Sequence, residues 1–139
     1  MWYQKPAPMK KLFFILTLST LISCTGEKLD MNAARKTAET AIQLIGDQKF
    51  KEVSKLYSPE FMEGEPAEVR ENKFSKIIEV IGNTEEFSIL DSSRLNSEEI
   101  NRIVLKYKVK HSNATTTETY TIVKEEGNYL LADIFITNQ

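Results

Sequence analysis

Residues that could do chemistry are few in this sequence of 139 residues. There is one Cys, Cys24, and one His, His111, so neither an intramolecular disulfide nor a thiolate zinc cluster can form. No glycine-rich phosphate loop occurs, and sequence spacing pairs no nucleophile with a base. The sequence therefore predicts no catalytic residue, no metal ligand and no cofactor.

The carboxyl group of Glu118 interrupts the apolar residues on one face of a predicted strand. Pairing the segments on either side of a four-residue loop, His111 to Ala114, places Tyr107 opposite Glu118 and Leu105 opposite Tyr120. Glu118 and Tyr107 could form a polar spot at a pocket mouth. The simpler interpretation is that the Tyr107 hydroxyl or solvent satisfies Glu118 at a strand end, with His111 exposed in the turn.

Cys24 is chemically specific because of the residues that precede it. Lys10-Lys11 is followed by an apolar run, Leu12 to Ile22, which fits the core of a signal peptide and is too short to span a bilayer as a helix. Ser23, a small residue, stands directly before Cys24. Residues 21–24 (Leu-Ile-Ser-Cys) resemble the bacterial lipobox, whose cysteine receives a diacylglyceryl group before cleavage.

This resemblance implies a signal peptide over 1–23, a lipidated tether over 24–29 and a folded domain over 30–139. Met9, followed by two lysines, would itself begin an ordinary signal peptide, so we expect translation to start there. Lipid on Cys24 would anchor the domain to the membrane of the bacterial cell envelope. Thr25 favours the outer membrane, on its periplasmic side or surface, in a cell with two membranes.

The charge balance limits the class of partner. Removing residues 1–23 leaves 116 residues and takes away three lysines and no acid, so the net charge changes from −2 to −5. Such a chain has no broad positive surface for a phosphate backbone, which predicts no nucleic-acid binding. Lys106, Lys108 and Lys110 share one strand face, which is either a solvated face protected from edge pairing or a stripe for anionic lipid or polymer.

Apolar residues at spacings of three and four predict three helices, over Asp30–Gly46, Asp47–Ser58 and Pro66–Gly82. An aspartate caps each of the first two, and a glycine ends the first and the third. Phe61 and Met62, between the second and third, are predicted to form an apolar plug under the next loop. These helices would position the residues of the sheet that follows.

After Gly82 the apolar period changes from 3.6 to 2, which predicts an antiparallel meander of four strands. The first strand is weak and holds Phe87, Ile89 and Leu95. The other three are predicted over Ile103–Lys110, Thr115–Lys124 and Tyr129–Thr137.

The last turn decides where Asp133 points. A loop of two or four residues would put Asp133 beside Tyr120 on the covered face, whereas a three-residue loop would turn it outward. We favour the three-residue loop Glu125-Glu126-Gly127, because Gly127 would then occupy the left-handed position of a bulged hairpin. The core face of the last strand would then carry Leu130, Ala132, Ile134 and Ile136.

Helices followed by a meander give an α+β layout in which helices cover one face of a curved sheet. Residues 41–61 (helix, Gly-Asp turn, second helix, Ser-containing turn) and the final hairpin, 121–133, resemble the nuclear transport factor two-like superfamily. This superfamily has the cystatin-like cone fold, and the likeness is greatest to its small bacterial lipoprotein branches of unassigned function. Tyr129 stands where the family usually has Trp.

The resemblance implies three helices packed on a curved four-stranded antiparallel sheet, around a conical pocket in which the family's enzymes place acids, Tyr or His. Candidates here are Tyr57, Tyr107, Glu118, Tyr120 and Asp133, of which we name Tyr107, Glu118 and Tyr120 as pocket residues. A phenol and a carboxyl in an apolar site is the arrangement of ketosteroid isomerase.

We expect a non-enzymatic domain that binds a small apolar ligand or an envelope protein. A homodimer through the sheet face is a further arrangement that the fold allows. The alternative is a pocket enzyme of isomerase or hydrolase type in the same cone fold.

Cys24 yields a direct chemical test. Cells that produce the protein and are fed a radioactive fatty acid should label it, and Cys24→Ala should remove the label, because the thiol is the predicted attachment point. The measurement is autoradiography of the immunoprecipitated protein. Equal labelling of both proteins would show that the lipobox interpretation is wrong.

Overall fold

Four helices precede one four-stranded antiparallel sheet in residues 27–139, the part of the chain that the computed structural model describes. The bounds are α1 (Met31–Gly46), α2 (Phe50–Ser54), α3 (Pro59–Gly64), α4 (Ala67–Ile81), β1 (Thr84–Asn96), β2 (Asn101–His111), β3 (Thr115–Glu125) and β4 (Asn128–Asn138). The strands lie in the order β1-β2-β3-β4. This is a cone-like α+β fold. The predicted signal peptide, Met9 and Cys24 lie outside the described residues.

Helix α1 forms as its sequence predicts. The Asp30 carboxylate accepts hydrogen bonds from the backbone N–H groups of Asn32 and Ala33, at 2.9 and 3.3 Å, and so caps the first turn. The buried face of the helix is made mainly of alanine and isoleucine, which lets the helix approach the sheet closely: Ala34, Ala38, Ala41, Ile42 and Ile45. None of the helices in residues 27–139 is long and apolar enough to cross a membrane.

The segment between α1 and α4 differs from the prediction. Asp47 is the C-terminal cap of α1, and α2 begins after Lys49 without a side-chain cap. Phe61 and Met62, predicted to form an apolar plug, belong to a helix that we did not predict, α3. The buried Ser58 hydroxyl caps its N-terminus. Phe61 is buried as predicted, but Met62 is half exposed. Ser58 and Pro59, predicted to end the second helix, therefore begin α3, with the proline in its first turn.

The sheet has the predicted period, and strands β2 and β3 have the predicted register. Residues of β2 and β3 pair as expected, with Leu105 opposite Tyr120 and Lys106 opposite Thr119. The inward side chains of β2 are fully buried against the helices, and Lys106, Lys108 and Lys110 point to solvent on the other face. Register shifts interrupt β1 before Glu86 and before Asp91, which explains its weak alternation.

The turn between β3 and β4 is shorter than we predicted. Glu125 pairs with Asn128, so the turn has two residues, Glu126 and Gly127. Both have positive φ, 50° and 82°, as the mirror-image turn of a tight hairpin requires. Leu131 rather than Leu130 therefore lies in the core.

A bulge in β4 then restores the predicted orientation of the later residues. Ile122 pairs with Leu131 and Thr121 with Asp133, so Ala132 is an extra residue in the ladder, and its side chain is buried as predicted. Beyond the bulge, Ile134 and Ile136 pack against the core, as expected, and Asp133 is exposed. The orientation predicted for Asp133 is correct, although the loop length from which it was derived is wrong.

Gly46 gives a stability test. A Cβ at this position would lie 2.5 Å from Oγ1 and 2.7 Å from Cβ of Thr84, so Gly46→Ala must push α1 away from β1. We expect a loss of about 1–3 kcal/mol in the free energy of unfolding, by overpacking, although alanine is the better helix former.

Gly64→Ala is the matched control, because its new Cβ would meet nothing closer than an Arg70 nitrogen at 3.7 Å. This variant should keep the wild-type stability or gain up to about 1 kcal/mol. Urea denaturation measures both. Equal stability of the two variants would contradict the close contact between Gly46 and Thr84.

Candidate functional site

Buried polar side chains gather at the end of the sheet where β2 turns into β3. Thr116, Glu118 and Tyr120 are alternate residues of β3, and His111 is the last residue of β2. Strand alternation turns all four toward the helices, because it continues to the strand ends. None is more than 4% exposed. We call these four residues the polar cluster.

Glu118 is the centre of the polar cluster. The Tyr120 hydroxyl donates to Glu118 Oε2 at 2.5 Å, and the Thr116 hydroxyl donates to Oε1 at 2.9 Å. His111 Nε2 lies 3.1 Å from the same Oε1. Three protein groups therefore satisfy a carboxylate that would otherwise be costly to bury.

The hydrogen bonds around His111 indicate which nitrogen carries a proton. Its Nε2 lies 3.0 Å from the Thr116 hydroxyl oxygen as well as near Glu118. The Thr116 hydroxyl is closer to Glu118 Oε1, at 2.9 Å, than to the Val109 carbonyl, at 3.5 Å, so we assign its proton to Glu118 and the donor role to Nε2. The remaining nitrogen, Nδ1, is 3.4 Å from the Thr84 hydroxyl.

The prediction that His111 is exposed in the turn is wrong. His111 continues the inward series of β2, two residues beyond Val109, and its N–H bonds to the Ala114 carbonyl as the turn closes. The period of two that identified Tyr107 would have identified His111 as well. The strand predicted over Ile103–Lys110 therefore ends one residue too early.

Tyr107 takes a different partner from the one predicted. It lies opposite Glu118 in the register, but its hydroxyl donates to Glu39 Oε1 of α1 at 3.3 Å. Arg35 binds the same carboxylate oxygen of Glu39, also at 3.3 Å. The ring of Tyr107 packs edge-on against Tyr120, with centroids 6.1 Å apart. The Tyr107 hydroxyl is therefore directed toward α1, away from the polar cluster.

The buried hydroxyl groups of Tyr107 and Tyr120 have raised pKa values. Desolvation, followed by the nearby Glu118 charge and hydrogen bond, raises the pKa of Tyr120 well above its ordinary value. Burial also raises the pKa of Tyr107 to about 12, with Glu39 adding to the effect. At neutral pH both hydroxyls are proton donors.

The other two candidate residues lie apart from these groups. Tyr57 is buried between α2 and α3, edge-on to Phe61 with centroids 4.8 Å apart, and burial raises its pKa to about 12. Asp133 is exposed on the outer face of β4. The sheet thus brings together two of the three predicted pocket residues, Glu118 and Tyr120, with His111 and Thr116, which sequence reasoning missed.

An apolar groove of about 340 Å³ borders the polar cluster. It runs between α4 and the paired ends of β3 and β4, and its lining residues are Lys76, Ile77, Val80, Ile81, Thr116, Ile136 and Asn138. Thr116 belongs to both the groove and the polar cluster. Lys76 and Asn138 add polar groups to a lining that is otherwise mainly apolar.

The polar groups of the cluster bond to one another and to neighbouring residues. Every polar atom of the cluster that we have described has a protein partner, so none is left directed at a substrate. Among residues 27–139 no group of three or more His, Cys, Asp or Glu could hold a metal ion.

Comparison with known proteins gives a structural likeness. The chain is similar to the structure of AusH from Aspergillus nidulans, with a TM-score of 0.54 and 16% sequence identity, over 79% of this chain and 86% of that one. No protein-family model matches the sequence, and no curated protein does. At this identity the likeness shows the fold alone.

The polar cluster predicts a specific stability change for Tyr120→Phe. Removing the hydroxyl takes one donor from the buried Glu118 carboxylate, which should cost about 1–3 kcal/mol of unfolding free energy at pH 7. Urea denaturation measures the loss. A stability equal to that of the wild type would contradict the bond.

The same variant should change the response to alkaline pH. The raised pKa keeps Tyr120 protonated in the folded state while it ionises in the unfolded chain, so its contribution is complete below pH 10 and is lost as pH rises. Above pH 10, Tyr120→Phe should therefore lose stability less steeply than the wild type, by about 1.4 kcal/mol per pH unit. Urea denaturation between pH 9 and about pH 11 compares the slopes, and parallel curves would contradict the prediction.

Proposed function

We propose that this chain is a lipid-anchored, non-enzymatic binding domain of the bacterial cell envelope, with a nuclear transport factor two-like fold. Its ligand is a small apolar molecule with one polar group. Anchoring rests on the lipobox-like residues that end at Cys24. The resemblance of residues 41–61 and 121–133 to that superfamily, together with the cone-like fold, supports the assignment.

The groove beside the polar cluster is the observation that carries the proposal. Its volume of about 340 Å³ lies within the range of small-molecule sites, roughly 300–1,000 Å³. Val80 is an apolar side chain on its wall and is 75% exposed, so a ligand there would cover apolar surface that now contacts water. Asn138 and Lys76 offer hydrogen bonds to a carboxylate or hydroxyl on that ligand.

A small molecule fits this groove better than a protein segment does. Only four apolar residues line the groove, three from α4 and one from β4, whereas a stable protein interface takes roughly 20–30 residues from each partner. Octanoate, an eight-carbon chain with one carboxylate, is a suitable probe, because it is soluble and matches both parts of the lining.

The second candidate is a pocket enzyme of isomerase or hydrolase type. The contacts of Tyr120 and His111 with Glu118 favour it, because phenol, imidazole and carboxylate are the groups of general acid–base catalysis. The complete internal bonding of the polar cluster favours the binding domain instead. A turnover screen separates the two, because an activity that disappears in Glu118→Gln would overturn the non-enzymatic proposal.

Octanoate binding by residues 27–139 tests the groove. Among the residues that the structure describes, the buried core lies between Leu29 and Ala132, so this fragment holds all of it, and its cooperative unfolding is measured first. Octanoate should shift the methyl resonances of Val80, Ile77 and Ile136. Val80→Asp should weaken binding at least about tenfold, because it places a charge where the apolar tail lies.

Val69→Asp is the matched control. Val69 is also an exposed valine of α4, 41% accessible, and does not line the groove, so this change should leave binding within about twofold. If both aspartate variants bind as the wild type does, or if the shifted resonances lie elsewhere, the groove is not the ligand site.

A further inference from the structure

The residues just before α1 are fixed to the sheet. The Leu29 side chain is buried in the core, and its carbonyl accepts hydrogen bonds from the Arg94 guanidinium at 3.3 and 3.4 Å. The Glu27 carbonyl accepts a hydrogen bond from the Asn101 amide at 2.9 Å, and its carboxylate pairs with Lys124. The segment 27–29, predicted from sequence as part of a polar tether, is therefore part of the folded domain.

These contacts all lie at one end of the sheet. Arg94 and Asn101 flank the turn between β1 and β2, and Lys124 is next to the turn between β3 and β4. The backbone N–H of Asp30 donates to the Tyr129 hydroxyl at 2.7 Å, which adds a fourth contact at the same end. We call this part of the domain, with its two turns at 97–100 and 126–127, the anchor end.

The anchor end is close to Cys24 along the chain. Three residue steps separate Cys24 from Glu27, and a fully extended chain covers at most about 11 Å in that distance. A lipid on Cys24 lies at the membrane surface, so Glu27 cannot be farther than that from the surface. The four contacts hold Glu27 and Leu29 on the sheet. The anchor end of the sheet must therefore also lie close to the membrane surface.

Exposed apolar side chains lie on the anchor end. Leu95 and Ile100 flank the tip of the β1–β2 turn and are 49% and 46% exposed. Glu98 and Glu99 stand between them, and Glu126 occupies the neighbouring turn. The apolar pair suits the interface of a bilayer, while the acids oppose deep insertion and favour neutral headgroups over anionic ones.

We infer that the anchor end is a membrane contact surface, in which Leu95 and Ile100 rest in the headgroup layer of a zwitterionic bilayer. The inference rests on the proposed lipid anchor at Cys24. It also assigns an orientation to the groove, which lies at the opposite end of the strands. Strand β2 has 11 residues, so the two ends are roughly 35 Å apart and the groove faces away from the membrane.

Single-tryptophan variants of the full chain test the contact. The one natural tryptophan, Trp2, lies in the predicted signal peptide and is replaced by Phe in every variant, so that uncleaved protein also contains the introduced tryptophan alone. Ile100→Trp and Leu95→Trp probe the anchor end, and using both guards against one that fails to fold. Val80→Trp is the matched control, since Val80 is an exposed apolar residue at the opposite end.

The lipoprotein is purified from membranes and reconstituted in phosphatidylcholine vesicles that carry bromine on the acyl chains, near the headgroup or deep in the bilayer. We expect Ile100→Trp and Leu95→Trp to lose about half of their fluorescence to the shallow bromine and less to the deep one. Val80→Trp should lose almost none, because it lies several times farther from the bilayer than such quenching reaches.

The possible results separate the inference from the lipid anchor. Protein that floats with the vesicles and carries fatty acid, but shows equal quenching at both ends or none at the anchor end, would overturn the orientation alone. Protein without fatty acid that does not float would overturn the lipid anchor and the orientation with it. Selective shallow quenching of the anchor end supports both.

Discussion

Burial of one carboxylate constrains this domain more than any other single interaction. Glu118 lies in an apolar layer formed by β2, β3 and the helices, where an unsatisfied charge would cost several kcal/mol. Two of its donors, Thr116 and Tyr120, are its neighbours on the inward face of β3, and the third, His111, reaches it from β2 because Lys110 pairs with Thr115 across the turn. A slip of one residue would turn Glu118 to solvent and leave the inward apolar residues of β3 exposed. The polar cluster therefore reinforces the register that the apolar pattern favours.

The bulge at Ala132 is the second constraint on the fold. It lies in β4, which is an edge strand of the sheet. Leu131 donates its backbone N–H to the Leu56 carbonyl at 2.7 Å, and its carbonyl accepts from Ser58 N–H at 2.8 Å. The linker between α2 and α3 thus covers part of an edge strand whose polar groups would otherwise lack partners. At the bulge β4 changes phase, so that a tight two-residue turn and an outward Asp133 are compatible.

These constraints divide the domain into two ends with different surroundings. At one end, the pre-helix segment is held by Arg94, Asn101 and Tyr129, next to the residue proposed to carry the lipid. At the other end, the groove adjoins Thr116, whose hydroxyl is already committed to Glu118. The polar groups of the cluster are bonded to one another, so the part of the groove that remains open is lined mainly by apolar side chains. The fold alone does not choose between binding and catalysis, because one fold serves many functions.

Local sequence determined the elements whose signals are local. The period of 3.6 and the Asp30 cap specified α1, and the period of two specified β2, β3 and their pairing, because each depends on neighbours along the chain. Tertiary structure alone decided the start of α3, the bulge at Ala132 and the side-chain partners of His111. Each of these depends on groups distant in sequence, namely Leu131 for the linker at Ser58 and Glu118 for the imidazole. The sequence could show that Glu118 faces inward, whereas its donors became identifiable only when the strands and helices enclosed them.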